Sequence, residues 1–193
     1  MTSVILFVDH AGGIGGAEVS LLSLCENLDR DQWEPHLIAA RGEMADRANS
    51  SGLVVHSVEL PRLRKSPGFL SRWVEGGHRI ARIAGECQAA VIYSNTVRAT
   101  IYSLLGARLS RRPLVWHMRD FWLSESEPSR PEFDWALKKF AVNQARRVIA
   151  NSHCTAGHLP PDPKVSIVYN GVDPDRFNPD RDRAGLREQY GLE

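Results

Sequence analysis

Val4-Ile5-Leu6-Phe7-Val8-Asp9-His10-Ala11-Gly12-Gly13-Ile14-Gly15-Gly16-Ala17-Glu18 stands near the start of the chain and decides how the rest is read. Five consecutive apolar residues ending on a carboxylate predict a strand buried on both faces, since a strand with one wet face would alternate. The glycines allow a tight turn. From about Ala17 to Leu28, Leu21, Leu22, Leu24 and Leu28 recur at helical spacing, with Cys25 in the same stripe as a buried free thiol.

The same alternation continues outward. Strands are expected at His36–Ala40, Leu53–Val58, Ala90–Tyr93, Leu114–His117, Arg147–Ala150 and Val165–Tyr169. Helices are expected at Glu43–Ser50, Phe69–Ala84, Thr96–Leu109, Phe133–Ala145, Cys154–Leu159 and Arg181–Tyr190. In the longest of these, Leu70, Trp73, Val74, Ile80, Ala81 and Ala84 form the predicted core stripe. Strand–helix units in such succession imply an α/β fold: a Rossmann-like parallel sheet with helices on both faces. Ligands of these sheets bind beyond the carboxyl ends of the strands. The residues there are Asp9, His10, Arg41, Ser94, Asn95, His117 to Asp120, Asn151, Ser152 and Asn170, a polar rim with two imidazoles.

Composition excludes several classes of function. The 193 residues, 42% hydrophobic and 24% charged, suit one domain and a short tail rather than a disordered chain. A net charge of +1 does not suit a dedicated nucleic-acid binder. No apolar run approaches the ~18 residues of a transmembrane helix, and Met1-Thr2-Ser3 lacks the basic start of a signal peptide. The expected compartment is the cytoplasm. Cys25, Cys87 and Cys154 are widely spaced with no CxxC pair, so no metal site is expected, and Cys154 beside His153 reads as a plain thiol.

The glycine loop invites a phosphate, because a glycine-lined backbone at a helix N-terminus points N–H groups at it. The nucleotide fingerprints fail, however. Glu18 stands where GxGxxG from Gly13 needs its third glycine, Ala39-Ala40-Arg41 replaces the ribose-binding acid, and no Gly-Lys-Ser/Thr follows. A diphosphate cradle and a packing turn both remain open at this point.

Gly15-Gly16-Ala17-Glu18 with its leucine-rich helix resembles the opening of a retaining GT-B glycosyltransferase of family 4. The resemblance continues in order through Ala90-Val91-Ile92-Tyr93-Ser94-Asn95, Pro113-Leu114-Val115-Trp116-His117 and Val148-Ile149-Ala150-Asn151-Ser152. It ends with Tyr169-Asn170-Gly171-Val172-Asp173 and Phe177 and Pro179, the most specific piece. The resemblance implies one half of a GT-B fold. Residues 1–170 would be the Rossmann-like acceptor-binding domain, and 171–193 the linker and start of the junction helix. The donor-binding C-terminal domain of the same protein would begin where this chain stops, at Leu192-Glu193.

The same resemblance implies the chemistry. A sugar passes from a nucleotide-sugar donor, the only co-substrate and no cofactor, to a glycan or lipid-linked acceptor with retention. Gly15 and Gly16 would meet the donor diphosphate or sugar, aided by the helix N-terminus. His117 would reach the reacting centre. Asp120 would orient His117 or accept an acceptor hydroxyl, or else pair structurally with Arg119. His10, Ser94, Asn95, Arg119, Asn151 and Ser152 would line the cleft; His10 equally suits a loop cap, and Asn151 or Ser152 a helix cap. Phe121 and Trp122 would stack on an acceptor ring or simply pack. Asn170, Gly171 and Asp173 would form the hinge. A nucleotide-binding epimerase on the same architecture, and a non-catalytic sugar-binding module, are the alternatives.

Between Glu59 and Gly85, Arg62, Arg64, Lys65, Arg72, Arg79 and Arg82 outnumber Glu59 and Glu75, with Leu63, Phe69, Leu70 and Trp73 interleaved. Residues 62–82 are read either as a solvated helix with a core-facing stripe or as a peripheral contact with the inner face of the membrane.

Overall fold

The computed structural model describes residues 2–62, 68–120, 131–175, 177–178 and 184–191, apart from the side chains of 131–134, 184 and 186. Leu63, Arg64, Lys65, Phe121, Trp122, Pro179, Leu192 and Glu193, and the side chain of Leu186, lie outside what is described.

Among the described residues seven strands form one sheet: β1 (Ser3–Val8), β2 (Trp33–Ala39), β3 (Val54–Ser57), β4 (Val91–Ser94), β5 (Leu114–Met118), β6 (Arg147–Ala150) and β7 (Val165–Ile167). All pairings are parallel, in the order β3-β2-β1-β4-β5-β6-β7. The helices are α1 (Gly16–Glu26), α2 (Glu43–Ser50), α3 (Phe69–Glu86), α4 (Val97–Ser110), α5 (Pro131–Gln144), α6 (His153–Gly157) and α7 (Ala184–Gln189). The α/β alternation expected from the sequence is thus observed, with element ends displaced by a few residues.

Strand order fixes which helix covers which face. From β1 the chain first runs outward to β2 and β3, then returns past β1 to β4 and continues the other way. Because parallel crossovers are right-handed, the two directions place their helices on opposite faces. Leu21, Leu22 and Cys25 of α1 and Met44 and Ala48 of α2 pack with Phe7, Leu37, Ala39 and Tyr93 on one face. Ile80, Ile83 and Ala84 of α3, Tyr102 and Leu104 of α4, and Ala141 and Val142 of α5 pack with Leu6, Val8, Ile92 and Trp116 on the other. Alternate residues of a strand supply the two cores, which is why β1 is apolar without a break. Cys25 is fully buried, and burial pushes its thiol up to about 12, so it is inert packing.

One helix departs from its predicted stripe. The core-facing residues of α3 are Gly76, Gly77, Ile80, Ile83 and Ala84, whereas Leu70 and Val74 are exposed. The cause is a close crossing of α3 and α4. A Cβ at Gly77 would stand 2.8 Å from Leu105 Cβ, and one at Gly106 2.8 Å from Ile80 Cβ. Glycines cost about 1 kcal/mol each in a helix interior, and here they let the two helices approach. Hydrophobic spacing alone does not register a seam made by absent side chains.

Candidate functional site

The reversal of strand order between β1 and β4 opens a crevice at the carboxyl ends, the expected ligand position in an open α/β sheet. Four rim residues, Asp9, Asn95, Arg119 and Asn151, share the parity of Phe7, Tyr93, Val115 and Ile149, so all four leave the sheet toward the α1 face.

They are wired together. Asp9 is fully buried; its Oδ1 accepts the N–H groups of His10 at 2.6 Å and Ala11 at 2.9 Å, and its Oδ2 accepts Asn95 Nδ2 at 2.7 Å. Burial raises the Asp9 pKa, against the opposing pull of these bonds. Asn95 Oδ1 accepts Arg119 Nε at 2.6 Å, and Asn95 Nδ2 also donates to Ala17 O at 3.2 Å. Arg119 Nη1 donates to Ser20 Oγ on α1 and to Asn170 Oδ1 at 2.7 Å. Asn151 Nδ2 donates to the Arg119 carbonyl at 2.9 Å. The ends of β1, β4, β5 and β6, the first turns of α1 and the start of the 170–173 segment are therefore one hydrogen-bonded unit.

His117 lies deeper on the same face, 5% exposed. Its Nδ1 is hydrogen-bonded to the Tyr93 hydroxyl, while its Nε2 is buried with no hydrogen-bond partner among the described residues. Burial, and then the charge of Arg119, lowers its pKa to about 3, so the ring is neutral at physiological pH. A buried nitrogen left unbonded is uncommon and points to a missing partner. His10 Nδ1 meets Thr96 Oγ1 at 2.8 Å, and burial lowers its pKa to about 4.

The glycine loop divides its work. A Cβ at Gly12 would lie 2.7 Å from Arg41 O, and the Gly12 carbonyl accepts Met44 N, so Gly12 serves packing against the β2–α2 turn. Gly13 and Gly16 face open space. The Gly15 N–H is taken by Glu18 Oε2 at 2.8 Å. Of the two glycines expected to meet a diphosphate, Gly16 at the first position of α1 has the open approach, and the Gly15 amide is occupied. A helix N-terminus leaves its first N–H groups without intrahelical acceptors, and that is what α1 presents at Gly16 and Ala17.

Other expected site residues fall elsewhere. Ser94 has the opposite parity; it is fully buried and bonded to Thr100 Oγ1 at 2.9 Å, facing α4 rather than the crevice. Ser152 Oγ accepts Thr155 N at 3.0 Å and caps α6, while Asn151 Oδ1 accepts Thr155 Oγ1 at 2.7 Å. Asp120 is exposed, and Tyr93 rather than Asp120 holds His117 Nδ1. In the hinge stretch, Asp173 Oδ1 accepts Asp175 N at 2.9 Å, Gly171 is open, and Val168, Tyr169, Val172 and Phe177 are exposed. Sequence reasoning left Tyr93, Ser20 and Thr96 out of the site. The available signal was a tyrosine inside a buried strand, whose hydroxyl needs a partner. Among the described residues no three or more His, Cys, Asp or Glu group as metal ligands.

The sequence matches the model of Glycosyltransferase Family 4 over residues 14–176. Solved structures agree in fold. HepE of Anabaena in complex with UDP is 26% identical, with a TM-score of 0.71 over 99% of this chain and 50% of its own. A glycosyltransferase from Rickettsia africae is 18% identical, with a TM-score of 0.76 over 100% of this chain and 50% of its own. MurG of Acinetobacter baumannii is 12% identical, with a TM-score of 0.62 over 93% of this chain and 50% of its own. Among curated proteins, no significant match is found. The chain spans about half the length of these solved relatives. The seven-stranded sheet is a Rossmann-like half of a GT-B architecture, and the chain belongs to glycosyltransferase family 4.

Proposed function

We propose that this family 4 chain is the acceptor-side half of an enzyme that moves a sugar from a nucleotide-sugar donor to a glycan or lipid-linked acceptor with retention of configuration. The observation that carries this reading is His117 Nε2 at the carboxyl ends of the strands, a buried polar atom without a hydrogen-bond partner among the described residues. The solved complexes of Anabaena HepE with UDP-glucose and with UDP, at 26% identity, support a nucleotide sugar as the donor.

In this reading negative charge gathers on the departing diphosphate, and catalysis is chiefly electrostatic. The open amides at Gly16 and Ala17, with the α1 dipole behind them, would face that charge. His117 would bond the donor sugar, and Asp120, exposed at the rim, would meet the acceptor. A second domain of the same protein would grip the nucleotide. The exposed Val168, Tyr169, Val172 and Phe177 next to Asn170 and Gly171 suit a hinge and the start of a domain junction. No cofactor is called for besides the donor.

A peripheral membrane contact has its own support. Phe69 and Leu70 are each 56% exposed on the first turn of α3, with Arg62 and Arg72 nearby in the chain. Further along, Arg79 and Arg82 pair with Glu75 and Glu86. Such a face suits an anionic bilayer that presents a lipid-linked acceptor from the cytoplasmic side. Among the described residues no helix is long and apolar enough to cross a membrane.

The test is hydrolysis and transfer of nucleotide sugars by this chain beside the full-length protein that carries it. Activity confined to the longer chain is the expected result. Turnover by this chain alone overturns the donor-domain assignment. Inactivity of both on every sugar nucleotide favours a binding module, and 2-epimerisation of the donor favours the epimerase alternative.

A further inference from the structure

The crevice holds one buried hydroxyl that the reading above gives no task. Tyr93 sits on β4 opposite Val115 of β5, so His117 lies two residues further along the neighbouring strand on the same face. The tyrosine extends along the sheet, its ring edge-on to the imidazole at 78° with 5.8 Å between centroids. Phe7 packs against its other side at 5.0 Å. Its neighbours Phe7, Leu21, Leu22, Cys25 and Leu37 are apolar, and a phenylalanine would fill the same space. The hydroxyl is therefore the informative part of this side chain.

His117 Nδ1 is hydrogen-bonded to that oxygen, and the positive charge of Arg119 acts on it from nearby. A guanidinium only donates, so Arg119 offers the phenol proton no acceptor. The phenol proton then has one acceptor within reach, Nδ1 of the imidazole. A neutral imidazole that accepts at Nδ1 carries its own proton on Nε2. Nε2 is a buried atom with no hydrogen-bond partner among the described residues. We propose that Tyr93 is a positioning residue that locks His117 as its Nε2–H tautomer, making the histidine a neutral donor to an oxygen of the bound sugar nucleotide.

The ring stays neutral for two reasons already given, burial and the adjacent guanidinium, and burial pushes the Tyr93 hydroxyl itself up to about 12, so it keeps its proton. The relay consequently holds across the physiological range. With the opposite tautomer, Nε2 would present a lone pair and would repel a phosphoryl or ether oxygen. This proposal rests on the glycosyltransferase reading for the identity of the oxygen, but the tautomer itself is a property of the unliganded protein.

The measurement is long-range ¹H–¹⁵N correlation of the imidazoles at pH 7 on the intact protein. The His117 signals are assigned by their loss in His117→Gln. The expected result is a protonated Nε2 and an unprotonated Nδ1 in the wild type. In Tyr93→Phe the two nitrogens should move toward averaged shifts, or the proton should transfer to Nδ1. An Nδ1–H tautomer in the wild type overturns the proposal, as does an unchanged Nε2–H tautomer in a folded Tyr93→Phe. Should that variant not fold, the wild-type tautomer decides alone, Nε2–H upholding the proposal and Nδ1–H overturning it. An Nδ1–H tautomer alongside loss of turnover in His117→Ala would sink this inference and leave the glycosyltransferase reading standing. The expected tautomer in a protein that acts on no sugar nucleotide would sink the reading alone.

Discussion

Asp9 and Arg119 are joined through a third side chain: the Asn95 carboxamide gives Nδ2 to the carboxylate at 2.7 Å and takes Arg119 Nε on Oδ1 at 2.6 Å. An uncharged amide can serve an anion with its NH₂ end and a cation with its oxygen. Because Arg119 continues to Ser20 and Asn170, the same link sets where the segment after β7 leaves the sheet.

Asn95→Asp keeps the shape and removes the donor. Its new oxygen would face Asp9 Oδ2 at the distance now occupied by a hydrogen bond, so one of two buried carboxyls must take a proton. The expected cost at pH 7 is about 2–4 kcal/mol in urea unfolding, shrinking as the pH is lowered toward 4. A loss that does not depend on pH would show that the residue acts by packing alone.

The α3–α4 seam predicts opposite signs for the same substitution along one helix. Gly77→Ala drives a methyl into Leu105 and should destabilise by roughly 1–2 kcal/mol after its gain in helix propensity. Gly85→Ala, with nothing within 4 Å of the new Cβ, should stabilise by about 0.5–1 kcal/mol. Equal effects in thermal unfolding would contradict the close-approach account.

His117 makes the protein sensitive to acid. Its folded pKa is near 3 against an ordinary value of 6.5, so between these values the unfolded chain binds the extra proton. The stability it supports is complete above about pH 6.5 and is lost as the pH falls toward 3. His10, lowered to about 4, acts in the same direction, whereas Asp9, raised by burial, acts in the opposite one. His117→Gln removes a single titration and should lose less stability than the wild type between pH 6.5 and 4. Parallel stability curves would mean that the ring is not held neutral.

Much of this was legible in the sequence. Apolar runs such as Val4–Val8 give buried parallel strands, and the polar residues just after them include those of the crevice, such as Asp9, Asn95 and Arg119. What the sequence does not display is parity at a strand end. Ser94 and Asn95 are adjacent, yet one faces α4 and the other the crevice, and the outcome depends on where the strand stops twisting against its neighbours. The roles of Gly12, Gly13, Gly15 and Gly16 were equally hidden, since Gly12 packs against a turn 30 residues away while Glu18 occupies the Gly15 amide. Tyr93 escaped notice because its ring satisfies the hydrophobic pattern and only its hydroxyl departs from it. The partial exposure of α3 follows from glycines, which leave no periodic signal.

The central claim is that the crevice around His117 meets a sugar nucleotide in the course of transfer. Turnover of nucleotide sugars by the full-length protein, wild type against His117→Ala, tests it most directly, with thermal unfolding run beside it. The expected result is a fall in turnover of about 10²–10³-fold, the scale of losing one donor to developing charge, in a variant that stays folded with a lowered unfolding temperature, because the vacated ring space and the unbonded Tyr93 hydroxyl both cost stability. A variant that is folded and turns over like the wild type would contradict it.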